Sequence, residues 1–482
     1  DADSDADTDT DADSDADTDT GSTAHTGGST AAGCAVDRWD PTDFATVWEV
    51  GPGRAYATPS DVPWESITAG TLVRIHGNGG AYHDKWAIDA VGTAADPIVV
   101  LGVCDPVSGA LPVIDGAGAT TRLQLDFWSE TRGVLKIGGT NTGDTVVPAY
   151  VFVEDLEFRG GRSSNGFTDD AGNAATYDDN AAAIFVEEGE HVTIRGCTLA
   201  DSGNGLFAAH ATSDLLVSSN LIEGNGNVGS AFEHNNYTEA LGIVFEYNHL
   251  GPPCAGCSGN NLKDRSAGTV IRYNWIEGGN RQLDLVDSDY AAIRNDPSYR
   301  DTWVYGNVLL EHDADGNSQI VHYGGDGGDP STYRRGTLHV YGNTVLSERT
   351  GNTTLLRMSD QVGTADVRNN VVVSAGNLAI LDATGTATLR TNWLRTGWRD
   401  SFAGGGFTGT VTDAGDNLTG ADPGFTAVGA HDLLPAAGSP LLDAAGPLEA
   451  SAPPLDRQYV VHQGSEVRPD DGAPDLGAFE RP

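Results

Sequence analysis

The chain is short of positive charge. Its 482 residues hold 27 lysines and arginines against 69 aspartates and glutamates, a formal net charge of −42. Nucleic-acid phosphates and anionic lipid surfaces both call for a basic face, so this balance argues against either as a partner. Only three of the basic residues are lysines, Lys85, Lys136 and Lys263. Codon bias towards Arg, Ala, Gly and Asp accounts for the scarcity, and it makes each lysine worth inspecting. Long apolar runs are also missing: no stretch reaches the ~18 residues that a membrane-spanning helix needs. No leader peptide is visible, and the chain opens inside a repeat, so the expectation is an exported, extracellular or surface protein whose leader has been removed.

What is present begins with DADSDADTDT, written twice, which puts aspartate at every odd position from Asp1 to Asp19. Like charges at that spacing repel, and Ala, Ser and Thr bury nothing, so residues 1–33 are expected to form a disordered acidic tail and a Gly/Ser/Thr linker. Such a tail resembles the spacers of lipid-anchored bacterial surface proteins and implies tethering. Residues 34–482 read as one domain. Glycine is abundant, 63 residues of 482, which signals many turns.

One phrase recurs through that domain: alternating apolar residues, an Asn, any residue, then an aliphatic. Its Asn positions are Asn220, Asn248, Asn274, Asn307, Asn343, Asn370 and Asn392, with Cys197 and Leu156 in the same slot upstream. From Cys197 the spacings are 23, 28, 26, 33, 36, 27 and 22 residues. A drifting period of that size marks a solenoid with loop insertions. The units alternate with period two, are Val/Ile-rich and end in Gly or Asn. Each is followed by a Gly-rich turn and a second short apolar strand. The expected fold is therefore all-β, a right-handed parallel β-helix. Coils stack about 4.8 Å apart, and a carboxamide both donates and accepts, so the Asn slots should hydrogen-bond in a ladder. Entry coils and a cap are expected over about 45–120, with Trp-Glu-Ser at 64–66 in a short helix. A closing, wrap-over segment is expected over about 421–482.

GPG…Y at 51–56, the Asn-phrased coils and ADPGF…GSPLLDA…DLGAFE at the end resemble bacterial secreted β-helix proteins of the pectate lyase-like superfamily. The block GNNLKDRSAGTVIRYNWIEGG (259–279) resembles the segment around the catalytic lysine of alginate lyase/chondroitinase B-type polysaccharide lyases. The resemblance implies a polysaccharide partner and β-elimination on a uronate-containing polymer, with Lys263 as base.

Such chemistry removes a weakly acidic C5 proton, so the neighbouring carboxylate must be neutralised, a base must take the proton and an acid must help the glycosidic oxygen leave. Polar residues on the second strand of each coil supply candidates. Lys263, Arg265, Arg281 and His322 are the catalytic set, with Arg265 expected to lower the Lys263 pKa. His234, Asn235, Tyr237, Tyr323 and Arg357 are the substrate-binding set. Glu233, Asp284 and Asp287 are candidate Ca²⁺ ligands, calcium being a cofactor suited to hard carboxylate oxygens. One departure stands out. Where those lyases place an arginine one coil beyond the lysine, this chain has Asp284. That mismatch keeps a second expectation open, a non-catalytic surface protein that binds glycans as an adhesin or appendage component. The motifs of polygalacturonase-type hydrolases and of mannuronan epimerases are absent. Of the five cysteines, Cys254 and Cys257 are expected to close a small disulfide loop. Cys34 with Cys104 is a candidate staple of the entry end, and Cys197 is expected to be a buried thiol.

Overall fold

The computed structural model describes residues 38–126, 128–139 and 146–482. The acidic tail, Cys34 and with it the proposed staple to Cys104 lie outside the described residues.

The chain winds into a parallel β-helix with three strands per coil. A representative coil runs Ala267–Arg272, Trp275–Glu277 and Leu283–Leu285, and the next runs Asp301–Tyr305, Val308–Glu311 and Gln319–Tyr323. Corresponding strands pair in parallel, as Val270 with Trp303, Trp275 with Val308 and Leu283 with Val321. The result is three long faces, here the first, second and third sheets in the order a coil visits them. At two coils the strands Asn204–Ser218 and Asn236–Glu246 run without a break round the corner from the third sheet to the first.

Alternation sorts the side chains. On the third sheet one row points into the rod: Ile184, Leu206, Asn236, Leu262, Leu283, Val321, Leu356 and Leu381. Apart from Asn236 these are aliphatic and essentially inaccessible to solvent, so the coils share one continuous core.

The turn between the first and second sheets is held by the expected ladder. Each Asn side-chain oxygen accepts from the backbone N–H of the preceding slot, at 2.9–3.0 Å, from Asn248 on Asn220 to Asn392 on Asn370. The ladder ends in Asn417, which accepts from Asn392 at 2.8 Å. Cys197 takes part through its backbone N–H, which donates to Asn220, and its thiol is free and buried. The residue before the slot adopts a left-handed backbone, as at Tyr247, Tyr273, Gly306 and Gly342. Glycine is required at 306, because a Cβ there would lie 2.5 Å from the Tyr273 ring.

At the entry end, Trp64–Ser66 forms one 3-10 turn, and Trp64 stacks on Trp86 at 5.0 Å inside the core. At the other end the chain turns back along the outside of the rod. Leu433, Tyr459 and Ala478 cover Trp275, Val308 and Leu346, and Leu455 covers the cluster of Tyr273, Tyr305 and Tyr341. His462 reaches His249, ring on ring at 4.0 Å. The third sheet is left uncovered by this segment.

Candidate functional site

Because the third sheet stays in register over many coils, one outward row collects a residue from each. In order it reads Lys136, Phe185, Phe207, Tyr237, Lys263, Asp284, His322, Arg357 and Asp382. From Phe185 to Arg357 the row floors a groove of about 1600 Å³. One half of that floor is aromatic and the other is charged.

Lys263 and Asp284 are direct neighbours on the row, with Nζ 3.1 Å from Oδ2. Asp284 gathers three more partners. His322 Nδ1 lies 2.7 Å from its Oδ1, the Asn260 amide donates to Oδ2 at 2.7 Å, and Arg281 Nη1 stands 3.8 Å away. Burial alone would raise the Asp284 pKa, but the His322 hydrogen bond and the Lys263 and Arg281 charges hold it well below the usual carboxylate range. On its far side His322 Nε2 is 2.7 Å from the Ser359 hydroxyl. That hydroxyl donates to the Gly325 carbonyl at 2.6 Å.

Asp326 completes the cluster. It sits in the glycine-rich loop 324–336 and bridges two cations, bonding Lys263 Nζ with one oxygen and Arg265 Nη2, at 2.9 Å, with the other. The loop is fixed from both ends. Asp287 accepts from the backbone N–H groups of Asp326 and Gly327 at 2.7 and 3.2 Å, and from Thr332 at 2.7 Å. Arg334 is fully buried, pairs with interior Asp264 at 3.2 Å and donates to the Val286 carbonyl.

Arg265 acts on the Lys263 pKa in the expected, lowering direction, but it does not decide the balance. Burial pulls it down, but the carboxylates of Asp284 and Asp326 outweigh burial and raise it above the ordinary lysine value. The Arg265 charge is taken up by Asp326, by Asp287 and by Tyr237, whose phenol oxygen accepts from Nε at 2.9 Å. Lys263 in the free protein is therefore a firmly held ammonium.

The other expected residues divide. Tyr237, Arg281 and Arg357 line the groove; Arg281 donates to Gln319 at 2.8 Å and Arg357 to Asp382 at 3.0 Å. His234 lines it too but is buried, accepts from the Asn260 N–H at 2.9 Å and stacks on Tyr237. Burial, then the Lys263 charge, push its pKa down to about 3, so it is neutral. Two assignments are corrected. Asn235 is fully buried in a second ladder, bonding Asn225 and Asn261, because it sits in a turn rather than on the outward row. Tyr323 follows outward-facing His322, so alternation turns it into the core. The calcium set does not assemble either: the Asp284 oxygens are taken by cations and the Asn260 amide, the Asp287 oxygens by N–H groups and the Thr332 hydroxyl, and Glu233 lines the groove with its Oε2 buried and without a hydrogen bond. Among the described residues no three His, Cys, Asp or Glu side chains are placed to hold a metal ion. Cys254 and Cys257 are disulfide-bonded beside the groove rim.

Asp326, Ser359 and Asn260 were not anticipated. Asp326 had a signal, an acid flanked by glycine pairs in GGDGG, but its contact with Lys263 spans 63 residues of sequence. Ser359 had none.

No protein-family model matches the chain, and no curated protein matches its sequence. Solved structures do. Pectate lyase Pel9A is similar at 13% identity and TM-score 0.46, over 91% of this chain and 97% of that one. The alginate lyase from Paenibacillus sp. str. FPU-7 is similar at 11% and 0.35, over 77% and 99%. The GH136 lacto-N-biosidase from Eubacterium ramulus is similar at 12% and 0.49, over 78% and 67%. At these identities the likeness is one of fold. Among the described residues no helix is long and apolar enough to cross a membrane.

Proposed function

We propose that this chain is an exported carbohydrate-active protein that cleaves a uronate-containing polysaccharide, lying along the third sheet, by β-elimination. The observation that carries the reading is the charged half of the outward row. In a chain of net charge −42, Lys263, Arg265, Arg281 and Arg357 converge in one groove. A uronate carboxylate entering there meets the two cations that Asp326 now bridges, and it takes the place of Asp326 on Arg265. That neutralises the carboxylate and stabilises the charge that develops at C5. Lys263, as the free amine, takes the C5 proton. The electron pair forms the C4–C5 double bond and the C4–O4 bond breaks. The departing oxygen takes the Tyr237 phenol proton, which is free to be given because Arg265 donates to that phenol oxygen. No step here runs through a metal.

Because Lys263 must first lose a proton that Asp284 and Asp326 hold on it, the rate should climb well into the alkaline range. The test is the ultraviolet absorbance of unsaturated uronate products over a panel of acidic polysaccharides, with Lys263→Met as the control. Product formation that is lost in that variant supports the reading. Absorbance that stays flat on every polymer up to high pH sinks it.

One observation favours a second reading. The clamping of Lys263 between two carboxylates, with Asp284 where the lyases have an arginine, suits a groove that binds an acidic glycan without cutting it. Retained binding with no product would select that reading, a surface protein tethered by its acidic tail.

A further inference from the structure

The aromatic half of the groove enters the chemistry above only through Tyr237. Its floor is Phe185, Phe207 and Tyr237, with ring centroids 5.4 and 4.9 Å apart on successive coils. The Arg132 guanidinium lies over the first two rings at 5.0 and 4.8 Å, so they offer a sugar little open face and the contact surface of this half is its rim. The rim carries Trp128, Phe232 and Tyr290. These are 36%, 84% and 40% exposed, and they are the exposed aromatic side chains of the described residues. Exposed aromatics scattered at random over a rod of this length would not all meet at one groove. A soluble protein keeps such rings in water only where they serve contact. Two of them are set in place rather than loose. Tyr290 stacks flat on His210 at 3.4 Å, and the Trp128 indole N–H donates to Glu187 at 2.7 Å.

The charges of this half have the opposite sign to those around Lys263. Asp179, Glu188 and Asp289 line the groove as well, while Glu187 is paired with Lys136 and the Arg132 guanidinium lies on the phenyl rings. A carboxylated sugar would meet repulsion here, whereas the C–H face of an uncharged pyranose suits an aromatic wall. Coils advance about 4.8 Å each, close to the length of one sugar ring in an extended chain. The row therefore offers about one position per ring.

We propose that the groove is a two-part site for a heteropolysaccharide: a uronate at Lys263 and Arg265, flanked on the Phe207 side by uncharged pyranose rings held between Trp128, Phe232 and Tyr290. This rests on the reading of an acidic polysaccharide in the groove and narrows it. A polymer made of uronates alone would be a poor ligand.

The test is calorimetric binding of two probes to the full chain at fixed salt. One probe is a fragment of deacylated gellan, in which most rings are uncharged, and the other is an oligogalacturonate of equal length. The gellan fragment should bind at least about tenfold more tightly, and the triple variant Trp128→Ala, Phe232→Ala, Tyr290→Ala should lose that ratio. Trp128 and Tyr290 also pack on their neighbours, so Phe232→Ala, at a side chain 84% exposed, is read beside the triple variant and should lower the ratio with an unchanged unfolding midpoint. Equal affinities, preference for the oligogalacturonate, an unaffected ratio in the variant, or no binding of either probe overturns the proposal. Product absorbance is read separately. Preference without product sinks the elimination and leaves the aromatic site standing, and product without preference does the reverse.

Discussion

Asp284 stands one coil above Lys263 on the same outward row, its Oδ2 3.1 Å from the ammonium. A single buried carboxylate thereby joins a lysine, a histidine, an arginine and an asparagine. Removing it leaves like charges facing one another out of water. Asp284→Ala should therefore cost about 3–5 kcal/mol, read as a lower urea midpoint with an unchanged slope. Asp284→Asn keeps the shape and two hydrogen bonds and should cost less. A midpoint for Asp284→Ala close to that of the unaltered chain would mean the cluster does not hold the floor together.

The Asn ladder is a second place where one side chain carries many bonds. Asn307 accepts from Asn274 and donates to the Ile271 and Tyr305 carbonyls and to Asn343, with no exposure. Asn307→Ala orphans several buried polar groups and should cost about 3 kcal/mol. Asn417 ends the ladder and is partly exposed, so Asn417→Ala should cost about 1 kcal/mol or less. Equal midpoints for the two variants would contradict the ladder as a source of stability.

How much of this was readable from residues alone follows from how far each signal travels along the chain. The coils were legible because a period-two pattern and its Asn turn are local, and the ladder from Asn220 to Asn392 was legible because the phrase repeats. Lys263, Asp284, His322 and Arg357 were legible as a set because equal register on equal strands puts them in one row. The contacts of Lys263 were not, since Asp326 arrives from a loop whose path depends on Arg334 and Asp287. Tyr323 was misread for want of one residue of register: on a strand, His322 outward means Tyr323 inward. Asn235 was misread because a second ladder has only three members, Asn225, Asn235 and Asn261, too few to show as a repeat.

Acid should destabilise the rod before any carboxylate of the cluster titrates. His234 is neutral in the folded chain, its pKa lowered to about 3 from an ordinary 6.5 by burial. Its folded pKa lies below the unfolded one, so its contribution is complete above pH 6.5 and is lost as pH falls towards 3. Over that window the unfolded chain holds a proton that the folded chain lacks, and stability should drop by about 1.4 kcal/mol per pH unit from this group. Asp284 and Asp326 add their loss as pH falls through the ordinary carboxylate range, where the unfolded chain begins to protonate them, and below it. Urea midpoints between pH 7 and 4 check the slope, and His234→Asn, which keeps an acceptor for the Asn260 N–H, should flatten it. An unaltered slope in that variant would assign the acid loss elsewhere.

Asp326 offers the sharpest separation between a base and a bystander at Lys263. Its carboxylate, together with Asp284, raises the Lys263 pKa. For stability, the pair contributes fully below the unfolded lysine value of 10.5 and is lost as pH rises through the higher folded one. For chemistry the same shift delays the free amine. Asp326→Asn removes one of the two charges, so the amine forms at lower pH, and the alkaline limb of the rate profile should move down by about one unit. The same change opens Arg265 to an incoming carboxylate, so a uronate ligand should bind more tightly. If Lys263 served instead as the proton donor, the limb would fall with rising pH, and Asp326→Asn would bring that fall to lower pH. A profile that ignores Asp326 while depending on Lys263 would show that the carboxylate leaves the site before the step that limits the rate.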